Sequence, residues 1–252
     1  MVVAPGGPGT SARTAVVWEV LTAAIAEASA GRAGAPLQVV DAGGGTGGFA
    51  VPLAEAGCSV TVVDPSPDSL AALGRRADER GLADRVRGVQ GDLESLAQLV
   101  DAGSADLVLC HSVLQVVDDP VSALRSVAGV LRPGGRLSLL VGNRNAVVLA
   151  RALAGRPDEA AHALTDPAGR WGEGDGVPRR WTPDELVALV DDAGLHVEQL
   201  HGVRVVADLI PSAALDLEPG APAALLALER SLADRSPFRD LATSLHVLAV
   251  RR

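Results

Sequence analysis

Short apolar runs alternate with stretches whose apolar positions recur at helical spacing. The runs are rich in Val and Leu and predict strands at 37–41, 59–63, 86–90, 105–110 and 136–141. A helical pattern lies before the first strand, at 13–30, and one follows each strand, at 47–56, 67–80, 93–101, 119–131 and 145–154. Strands that alternate with helices indicate βαβ units and a parallel sheet. Because the strands are apolar on both faces, we expect the sheet to be covered on both sides.

The alternation stops at 155–180, a segment that is rich in proline and glycine. We interpret this segment as a lid-like loop, because long connections inside a compact domain usually carry function. The next helix begins at Thr182, since Thr182, Pro183 and Glu185 suit the first positions of a capping box. After it, the pattern predicts a strand near 195–206, a helix near 221–233 and a last strand near 243–250. The βα alternation thus ends in a helix and a terminal strand that lacks a crossover helix of its own. We therefore expect a seven-stranded, mostly parallel sheet whose last strand is antiparallel.

The composition fits one α/β domain with an elaboration, because 48% of the 252 residues are hydrophobic. The formal charge of −9 gives the chain no general attraction for phosphate backbones. Cys58 and Cys110 lie at or beside apolar runs and are expected to be buried thiols, and no histidines have metal-ligand spacing. Residues 1–10 do not resemble a signal peptide, and no apolar run approaches the length of a membrane span. We therefore expect a cytoplasmic protein with no metal and no membrane partner.

A glycine-rich run, 41–48, follows the first predicted strand and contains Gly43, Gly44 and Gly45 in succession. Glycine lets a backbone turn sharply and approach a ligand where a Cβ atom would collide. Amides at the start of the following helix can also face that ligand. Because so many consecutive glycines are costly in conformational entropy, a turn without a ligand is disfavoured. The run therefore predicts a cofactor site.

An acidic residue, Asp64, ends the next predicted strand, where its carboxylate can accept hydrogen bonds from two ribose hydroxyls. Gly43, Gly45 and Gly48 also satisfy the G-x-G-x-x-G pattern of dinucleotide sites, so NAD is an alternative ligand. Asp41 stands before the first glycine, where an acid can contact the ammonium group of S-adenosylmethionine (SAM). NAD offers no cation at that point, so SAM is the favoured cofactor.

Further candidates follow the third and fourth predicted strands, because ligands bind in the crevice at the carboxyl ends of such strands. Asp92 can accept hydrogen bonds from the adenine N6 amino group while Leu93 covers the ring. Alternatively, Asp92 caps the next helix. His111 lies at the mouth of the crevice, where it can bind the cofactor, act as a base or hydrogen-bond its own loop.

The turn before the fifth predicted strand, at 131–137 (Leu-Arg-Pro-Gly-Gly-Arg-Leu), resembles that of class I SAM-dependent methyltransferases. The Asp-Ala-Gly-Gly-Gly run, Asp64 and the Asp-Leu-Val-Leu strand resemble the same family, and the likeness covers about residues 35–145. The resemblance implies a Rossmann-like α/β fold, SAM as the cofactor and methyl transfer as the reaction.

A closer resemblance, to bacterial tRNA 5-carboxymethoxyuridine methyltransferases, extends over most of the chain. Members of that family methylate a wobble-uridine carboxylate. The matching stretches are 13–18, 41–45, 111–115, 138–143, 202–205 and 245–249. The resemblance implies cofactor roles for Arg13, Gly43, Gly44, Asp64, Leu93, Glu94 and His111. The predicted cofactor set also includes Asp41, Gly45, Pro65 and Asp92.

Arg13 would clamp the methionine carboxylate of SAM with a bidentate contact. Without the resemblance, Arg13 would be interpreted as part of a solvated helix face. The segment 155–180 departs from the family, in which it is strongly basic, because Glu173 and Asp175 partly balance its arginines. Two classes of acceptor therefore stay open, tRNA and a small molecule.

The acceptor side of the site has candidates but no firm catalytic residue. A carboxylate is already a nucleophile at neutral pH and needs no base, which agrees with the lack of an evident acid/base dyad. Its charge would require a positive partner, for which Arg204 and Arg144 are candidates, with Asn143 as a hydrogen-bond donor. Arg204 has a surface or core ion pair as its alternative role. His111, Asn143 and Arg204 are the catalytic candidates.

We expect a SAM-dependent methyltransferase that O-methylates a carboxylate, such as that of 5-carboxymethoxyuridine in tRNA. The alternatives are a small-molecule O- or N-methyltransferase and a non-catalytic SAM-binding module. The predicted organisation is a single domain over 1–252, with a disordered tail (1–10), an N-terminal helix (11–34), a SAM-binding core (35–145), a lid-like loop (155–180) and C-terminal helices and strands (181–252).

Overall fold

The computed structural model describes residues 14–30, 34–211 and 220–252. The strands, in chain order, are β1 (Gln38–Ala42), β2 (Ser59–Asp64), β3 (Val86–Gln90), β4 (Ala105–His111), β5 (Leu131–Gly142), β6 (Leu195–Val203) and β7 (Ser244–Arg251). The α-helices are α1 (Ala15–Ser29), α2 (Ala50–Glu55), α3 (Pro67–Glu79), α4 (Leu96–Leu99), α5 (Pro120–Val130), α6 (Arg144–Leu153), α7 (Pro157–Thr165), α8 (Pro183–Asp192) and α9 (Ala221–Leu232).

The seven strands form one sheet in the order β3-β2-β1-β4-β5-β7-β6. The pairs β1–β2, β1–β4, β2–β3 and β4–β5 are parallel. β7 is antiparallel to β5 and β6. The chain adds strands outward from β1 to β3 and then returns to β4 beside β1, so the strand order reverses there. The predicted Rossmann-like fold with an antiparallel last strand is confirmed.

The centre of the sheet is apolar because both of its faces are covered. Every residue of β4 before His111 is buried, and Val39 and Val40 of β1 are at most 4% exposed. β3, at the sheet edge, has no buried residue. This difference is typical of a parallel sheet that carries helices on both faces of its central strands.

Contacts along the chain divide it into two compact units. Unit one comprises Ala24–Leu140, Val187–Gln199 and Val247–Arg252. Unit two comprises Met1–Ala23, Val141–Leu186 and Leu200–His246, of which the structure describes 14–23, 141–186, 200–211 and 220–246. The glycine-rich run lies in unit one, whereas Asn143 and Arg204 lie in unit two. The single-domain organisation stays a prediction.

The segment 155–180 differs from the predicted loop, because its first part forms α7. Pro157 occupies the first turn of that helix, where its missing N–H group costs nothing, and two acidic residues follow it near the positive helix end. The rest of the segment folds around Asp175, which forms a bidentate ion pair with Arg180 at 2.6 and 2.9 Å. The carboxylate of Asp175 also accepts the backbone N–H groups of Trp171 and Val177.

Burial opposes the ionisation of Asp175, but the Arg180 guanidinium and the two backbone amides outweigh it. Together they lower the pKa of Asp175 to about 2. A second contact fixes Trp171, because the guanidinium carbon of Arg151 lies 3.6 Å from the centre of the Trp171 ring. The segment that follows α7 is therefore an ordered structure built on charge-assisted and cation–π contacts.

Two element boundaries in unit one also differ from the sequence prediction. α4 covers only Leu96–Leu99 and not 93–101, because Asp92 and Ser95 first close a tight side-chain turn. β5 begins at Leu131, five residues before the predicted 136, and a register shift lies opposite its first part, between Ala105 and Leu107. The predicted turn at 131–137 is thus part of the strand.

Some predictions fall on residues that the structure does not describe. Arg13 and the predicted tail at 1–10 lie outside the described residues, as do the first part of 11–34 and 31–33 within it. Among the helices in the described ranges, none is both long and apolar enough to span a membrane.

Candidate cofactor site and acceptor side

The glycine-rich run leaves β1 at the point where the strand order reverses. Gly43 and Gly45 have φ angles of +75° and +55°, which are strained for any residue with a Cβ atom. A Cβ atom on Gly43 would lie 2.2 Å from a methyl carbon of Val113. On Gly44 it would lie 2.4 Å from a carboxylate oxygen of Asp41. Glycine therefore avoids a steric clash at Gly43 and Gly44, and at Gly43 and Gly45 it permits the left-handed backbone of the turn.

Asp41 is the buried acid beneath this run. Its side chain is 3% exposed, and one carboxylate oxygen, Oδ2, has no hydrogen-bond partner among the described residues. Burial, and secondarily the negative charge of Asp64, raise the pKa of Asp41 to about 7. An unpaired buried carboxylate is costly, and a cationic ligand group would relieve that cost.

Asp64, at the end of β2, is held in a fixed orientation by two backbone amides. Its Oδ2 atom accepts the N–H of Gly45 at 2.9 Å, and its Oδ1 atom accepts the N–H of Ser66 at 2.9 Å. A carboxylate has about four acceptor positions, so each oxygen can still accept a further hydrogen bond. This geometry suits a diol such as the two hydroxyls of a ribose.

A cavity of about 230 Å³, the glycine-run cavity, opens beside these groups. Its lining consists of Gly43, Val63, Pro65, Asp92, Leu93, Glu94, Val113, Val116, Val117 and Asp118. Apolar walls with acidic groups at the edge suit a purine ring and its amino group. Five of the predicted site residues meet here. The sequence prediction missed 113–118, whose only signal is that they follow His111 in the same loop.

Asp92 does not cap the next helix, which was its alternative role, because the residue at the N-cap of α4 is Ser95; Asp92 instead closes a side-chain turn with Ser95. Its Oδ1 atom accepts both the backbone N–H and the hydroxyl of Ser95, at 2.8 and 2.7 Å. These hydrogen bonds, the side-chain one first, lower the pKa of Asp92. Asp92 also borders the glycine-run cavity, so it stays in the candidate site.

His111 lies at the carboxyl end of β4 and is bonded within the protein. Its Nε2 atom is 2.8 Å from the hydroxyl of Ser138, and its ring meets the Phe49 ring edge-on at a centroid distance of 4.6 Å. Burial lowers the pKa of His111 to about 3. The imidazole is therefore neutral at physiological pH and a weak base.

The comparisons with known proteins identify the family of the chain. Residues 40–139 match the family described as methyltransferase domain. A tRNA 5-carboxymethoxyuridine methyltransferase from Escherichia coli strain K12 is 30% identical over 237 residues, which cover 94% of this chain and 87% of that relative. The chain belongs to the SAM-dependent methyltransferases. The resemblance found in the sequence is confirmed.

Two further comparisons place the methyltransferase among its relatives. A ubiquinone biosynthesis O-methyltransferase from Xanthomonas axonopodis pv. citri strain 306 is 34% identical over 166 residues, which cover 66% of this chain and 65% of that relative. The crystal structure of a SAM-dependent methyltransferase from Mesorhizobium loti superposes with a TM-score of 0.59 at 21% identity. That likeness covers 93% of this chain and 97% of the other, and it shows the fold alone.

Asn143, the residue after β5, uses its side-chain amide within unit two of the methyltransferase. The amide nitrogen donates to the carbonyl oxygens of Asp240 and Ala242, at 3.0 and 2.7 Å. The amide oxygen accepts the N–H of Asn145 and so caps the start of α6. These bonds fix the backbone at 240–242, so the side chain of Asn143 has a structural role here.

Arg204 follows β6 in the left-handed conformation, with a φ angle of +60°. Its guanidinium donates to the hydroxyl of Ser244 at 3.1 Å and lies 3.2 Å from the carboxylate of Asp208. Both members of this ion pair are about 30% exposed. The charge of Arg204 is thus partly neutralised, which is the alternative role expected for it. Arg144 is also paired, with Glu185 and the carbonyl of Pro167.

A fully buried acid, Glu229 on α9, fixes the loop that follows Arg204. Its carboxylate accepts the backbone N–H groups of Val205, Val206 and Ala207, at 2.7 to 2.8 Å. The sequence prediction missed Glu229. In the helical pattern of α9, nothing distinguishes this buried acid from any other charged residue of a helix. A carboxylate that holds three consecutive amides defines the shape of the loop.

A second cavity, here called the apolar cavity, lies entirely within unit two and has a volume of about 420 Å³. Its lining consists of Asn143, Ala146, Val147, Leu149, Ala150, Arg180, Val205, Val206, Asp208, Leu209, Phe238, Leu241 and Thr243. Four distant parts of the chain meet around it, namely 143–150 at the start of α6, Arg180, the loop after β6 and the turn at 238–243. No local pattern in the sequence predicts this cavity.

Proposed function

We propose that the methyltransferase binds SAM at the glycine-rich run in unit one. In this proposal, Asp41 carries the methionine ammonium group, Asp64 accepts the ribose hydroxyls and the glycine-run cavity holds the adenine. The unpaired buried oxygen of Asp41 supports this placement. Leu93 would cover the ring, and Pro65, Glu94 and Asp92 would border it.

The reaction that fits best is methyl transfer to a carboxylate oxygen. Bound SAM would supply a methyl group that its sulfonium already activates, so the chain has mainly to align the acceptor. One observation carries this proposal: the only predicted base, His111, has a pKa of about 3 and is bonded to Ser138. Efficient general bases have a pKa near the working pH. An acceptor that is already ionised needs no such base.

The relatives support an oxygen acceptor. The name of the Escherichia coli relative specifies 5-carboxymethoxyuridine in tRNA, and that of the Xanthomonas relative specifies O-methyl transfer. We extend to this chain only the reaction class, O-methylation of a carboxylate. The acceptor molecule is either the tRNA nucleoside or a small carboxylic acid.

The decisive experiment supplies methyl-labelled SAM with two acceptor pools, bulk tRNA that carries the wobble carboxylate and a small-molecule extract. We expect the label in a base-labile ester. At saturating SAM, the rate should show no ionisation near the ordinary histidine pKa of about 6.5. Base-stable label on an amine or a carbon, or a rate that follows a group titrating near that pH, would overturn the proposal.

A further inference from the structure

The apolar cavity of unit two has walls of apolar side chains. The contribution of α6 consists of Ala146, Val147, Leu149 and Ala150. Three larger side chains, Leu209, Phe238 and Leu241, also line the cavity and keep between 42% and 59% of their surface exposed. Large apolar side chains that stay exposed around a concave surface mark a ligand or partner site. The volume of about 420 Å³ lies within the usual range of about 300–1,000 Å³ for small-molecule sites.

Buried charges hold two parts of these walls in place. The carboxylate of Glu229, which is fully buried, accepts the backbone N–H groups of Val205 and Val206. Arg180 forms its bidentate ion pair with Asp175, and both side chains are at most 10% exposed. Small-molecule sites are typically concave, mostly apolar and largely formed before the ligand binds. The cavity therefore does not depend on a ligand for its shape.

Asp208 is a polar side chain of the lining that can still accept a hydrogen bond. Its Oδ2 atom lies 3.2 Å from the guanidinium of Arg204 and accepts the hydroxyl of Thr243 at 2.9 Å. A carboxylate has about four acceptor positions on its two oxygens, so Oδ1 leaves room for a donor from a ligand. By contrast, the side-chain amide of Asn143 already donates to two backbone carbonyls, and Arg180 is paired. The polar contact that the lining offers is therefore an acceptor.

The ion pair between Arg204 and Asp208 also decides the charge of the ligand. An anion would face the carboxylate of Asp208, while the guanidinium beside that carboxylate is already neutralised. A cation would share the carboxylate with Arg204 and would be repelled by the guanidinium. An uncharged donor avoids both penalties, because it adds a hydrogen bond to the ion pair without adding a charge. Phe238 favours an aromatic body for the ligand, since its exposed ring can pair with a second ring at its face or edge.

We infer that the apolar cavity binds a phenol, that is, an uncharged aromatic molecule whose hydroxyl donates to Asp208. The ring lies among the apolar side chains of the lining, and the hydroxyl supplies the one directed contact. This site consists of residues of unit two alone, and methyl transfer plays no part in its occupancy. The chain then carries a ligand site in addition to the proposed cofactor site of unit one.

The test measures binding to the full-length chain by isothermal calorimetry at neutral pH, with three probes that share one ring system. 2-Naphthol is an uncharged donor, 2-methoxynaphthalene lacks the donor and 2-naphthoate is an anion. We expect wild type to bind 2-naphthol about three- to tenfold more tightly than 2-methoxynaphthalene, as one partly exposed hydrogen bond would give. 2-Naphthoate should bind at least about tenfold more weakly than 2-naphthol, because like charges meet. Undetectable binding of 2-naphthol, or equal or tighter binding of either other probe, would overturn the inference.

Asp208→Asn tests the contact with the hydroxyl. The change replaces one acceptor oxygen with an NH₂ group and frees the charge of Arg204. The preference for 2-naphthol over 2-methoxynaphthalene should therefore fall to within about twofold, and 2-naphthoate should bind more tightly than it does to wild type. Damage to the fold would instead weaken all three probes together. Asp158→Asn, at an exposed acid of α7 outside the lining, is the matched control and should keep the wild-type order. An unchanged preference in Asp208→Asn would contradict the assigned contact.

Ala146→Phe tests the place of binding, because it puts a ring into the cavity from α6. We expect it to weaken 2-naphthol binding at least about tenfold, since the added ring fills space that the ligand needs. Ala152→Phe is the matched control, because Ala152 lies on the same helix, is exposed and is not part of the lining, and it should leave binding within about twofold of wild type. Leu209→Arg, at a position that is 59% exposed, removes an apolar contact without burying a charge and should also weaken 2-naphthol binding. Binding of 2-naphthol that neither cavity variant weakens would overturn the inference.

Discussion

The protonation of Asp41 links SAM binding to pH at the scale of a single residue. Its pKa in the ligand-free protein is raised to about 7, so below that pH the carboxyl group is neutral and cannot pair with an ammonium group. SAM affinity should therefore rise as pH increases from 5.5 to 7.5, by about tenfold or more in calorimetric titrations, since each pH unit below the pKa costs up to about tenfold. Asp41→Asn should bind SAM more weakly and with little dependence on pH.

The same shift has a definite sign for the stability of the ligand-free protein. Because the folded-state pKa of Asp41 lies above the ordinary aspartate value of 3.8, the folded state binds the proton more tightly than the unfolded state. Asp41 therefore lowers the free energy of unfolding progressively as pH rises from about 4 to about 7. A wild-type SAM affinity that does not change between pH 5.5 and 7.5 would contradict the role given to Asp41 in cofactor binding.

Asp64 tests the ribose contact. Asp64→Asn keeps the shape of the side chain but removes its charge and one acceptor oxygen, so a ribose hydroxyl is left with a poorer partner. We expect SAM binding to weaken by about 1–3 kcal/mol, or about 5- to 150-fold. Asp78→Asn, a change of the same kind at an exposed acid of α3, is the control and should leave SAM affinity unchanged. Equal affinities for wild type and Asp64→Asn would remove Asp64 from the site.

At the scale of elements, α9 is tied to the loop after β6 through Glu229. Glu229→Gln replaces one acceptor oxygen with an NH₂ group that faces backbone N–H donors, so buried hydrogen bonds are lost. We expect the free energy of unfolding to fall by about 1.5–3 kcal/mol. Thermal unfolding monitored by circular dichroism should show a Tm lower by about 3–12 °C. Glu79→Gln on the exposed face of α3 is the control, and equal Tm values for the two variants would contradict this anchoring role.

The elements were largely predictable because their signals are local. Apolar runs define β1 to β4, and Thr182 with Glu185 form the predicted capping box before α8, with backbone-to-side-chain contacts of 3.3 and 2.8 Å. α7 was missed because the prolines and glycines of 155–180 suggested a loop, although Pro157 at a helix start is compatible with a helix. β5 was placed too late because the Pro-Gly-Gly sequence is typical of a turn.

The candidate site could be predicted where its residues lie at the carboxyl end of a strand. It could not be predicted where the role of a residue depends on tertiary contacts. The glycine run, Asp41 and Asp64 stand at the ends of β1 and β2, so topology alone brings them together. The partners of Arg204 and Asn143 lie about 4 to 99 residues away along the chain: Arg204 pairs with the carboxylate of Asp208, and Asn143 donates to the backbone carbonyl of Ala242. Periodicity carries no information about such pairs, and for the same reason it did not reveal the apolar cavity.

At the scale of the whole molecule, the charge of −9 predicts how acceptor use depends on salt. A protein that contacts 6–10 phosphates loses about 10³- to 10⁵-fold in affinity between 50 and 200 mM salt. For a small apolar carboxylic acid, we expect kcat/KM to change by less than about threefold over that range, since only one exposed charge is screened. Steady-state assays at several salt concentrations measure this directly, and a steep loss of kcat/KM would indicate a polyanionic acceptor.

The Asp175–Arg180 pair makes the heat capacity of ligand binding to the apolar cavity informative. Because this pair and the amides of Trp171 and Val177 already order the segment after α7, that segment does not have to fold when a ligand enters the apolar cavity. Coupled folding buries large additional surface and gives a strongly negative heat-capacity change. When a ligand binds to a segment that is already ordered, the heat-capacity change should be small and should reflect only the apolar surface of the ligand that is buried. The association rate should then be limited by the diffusional encounter of ligand and protein.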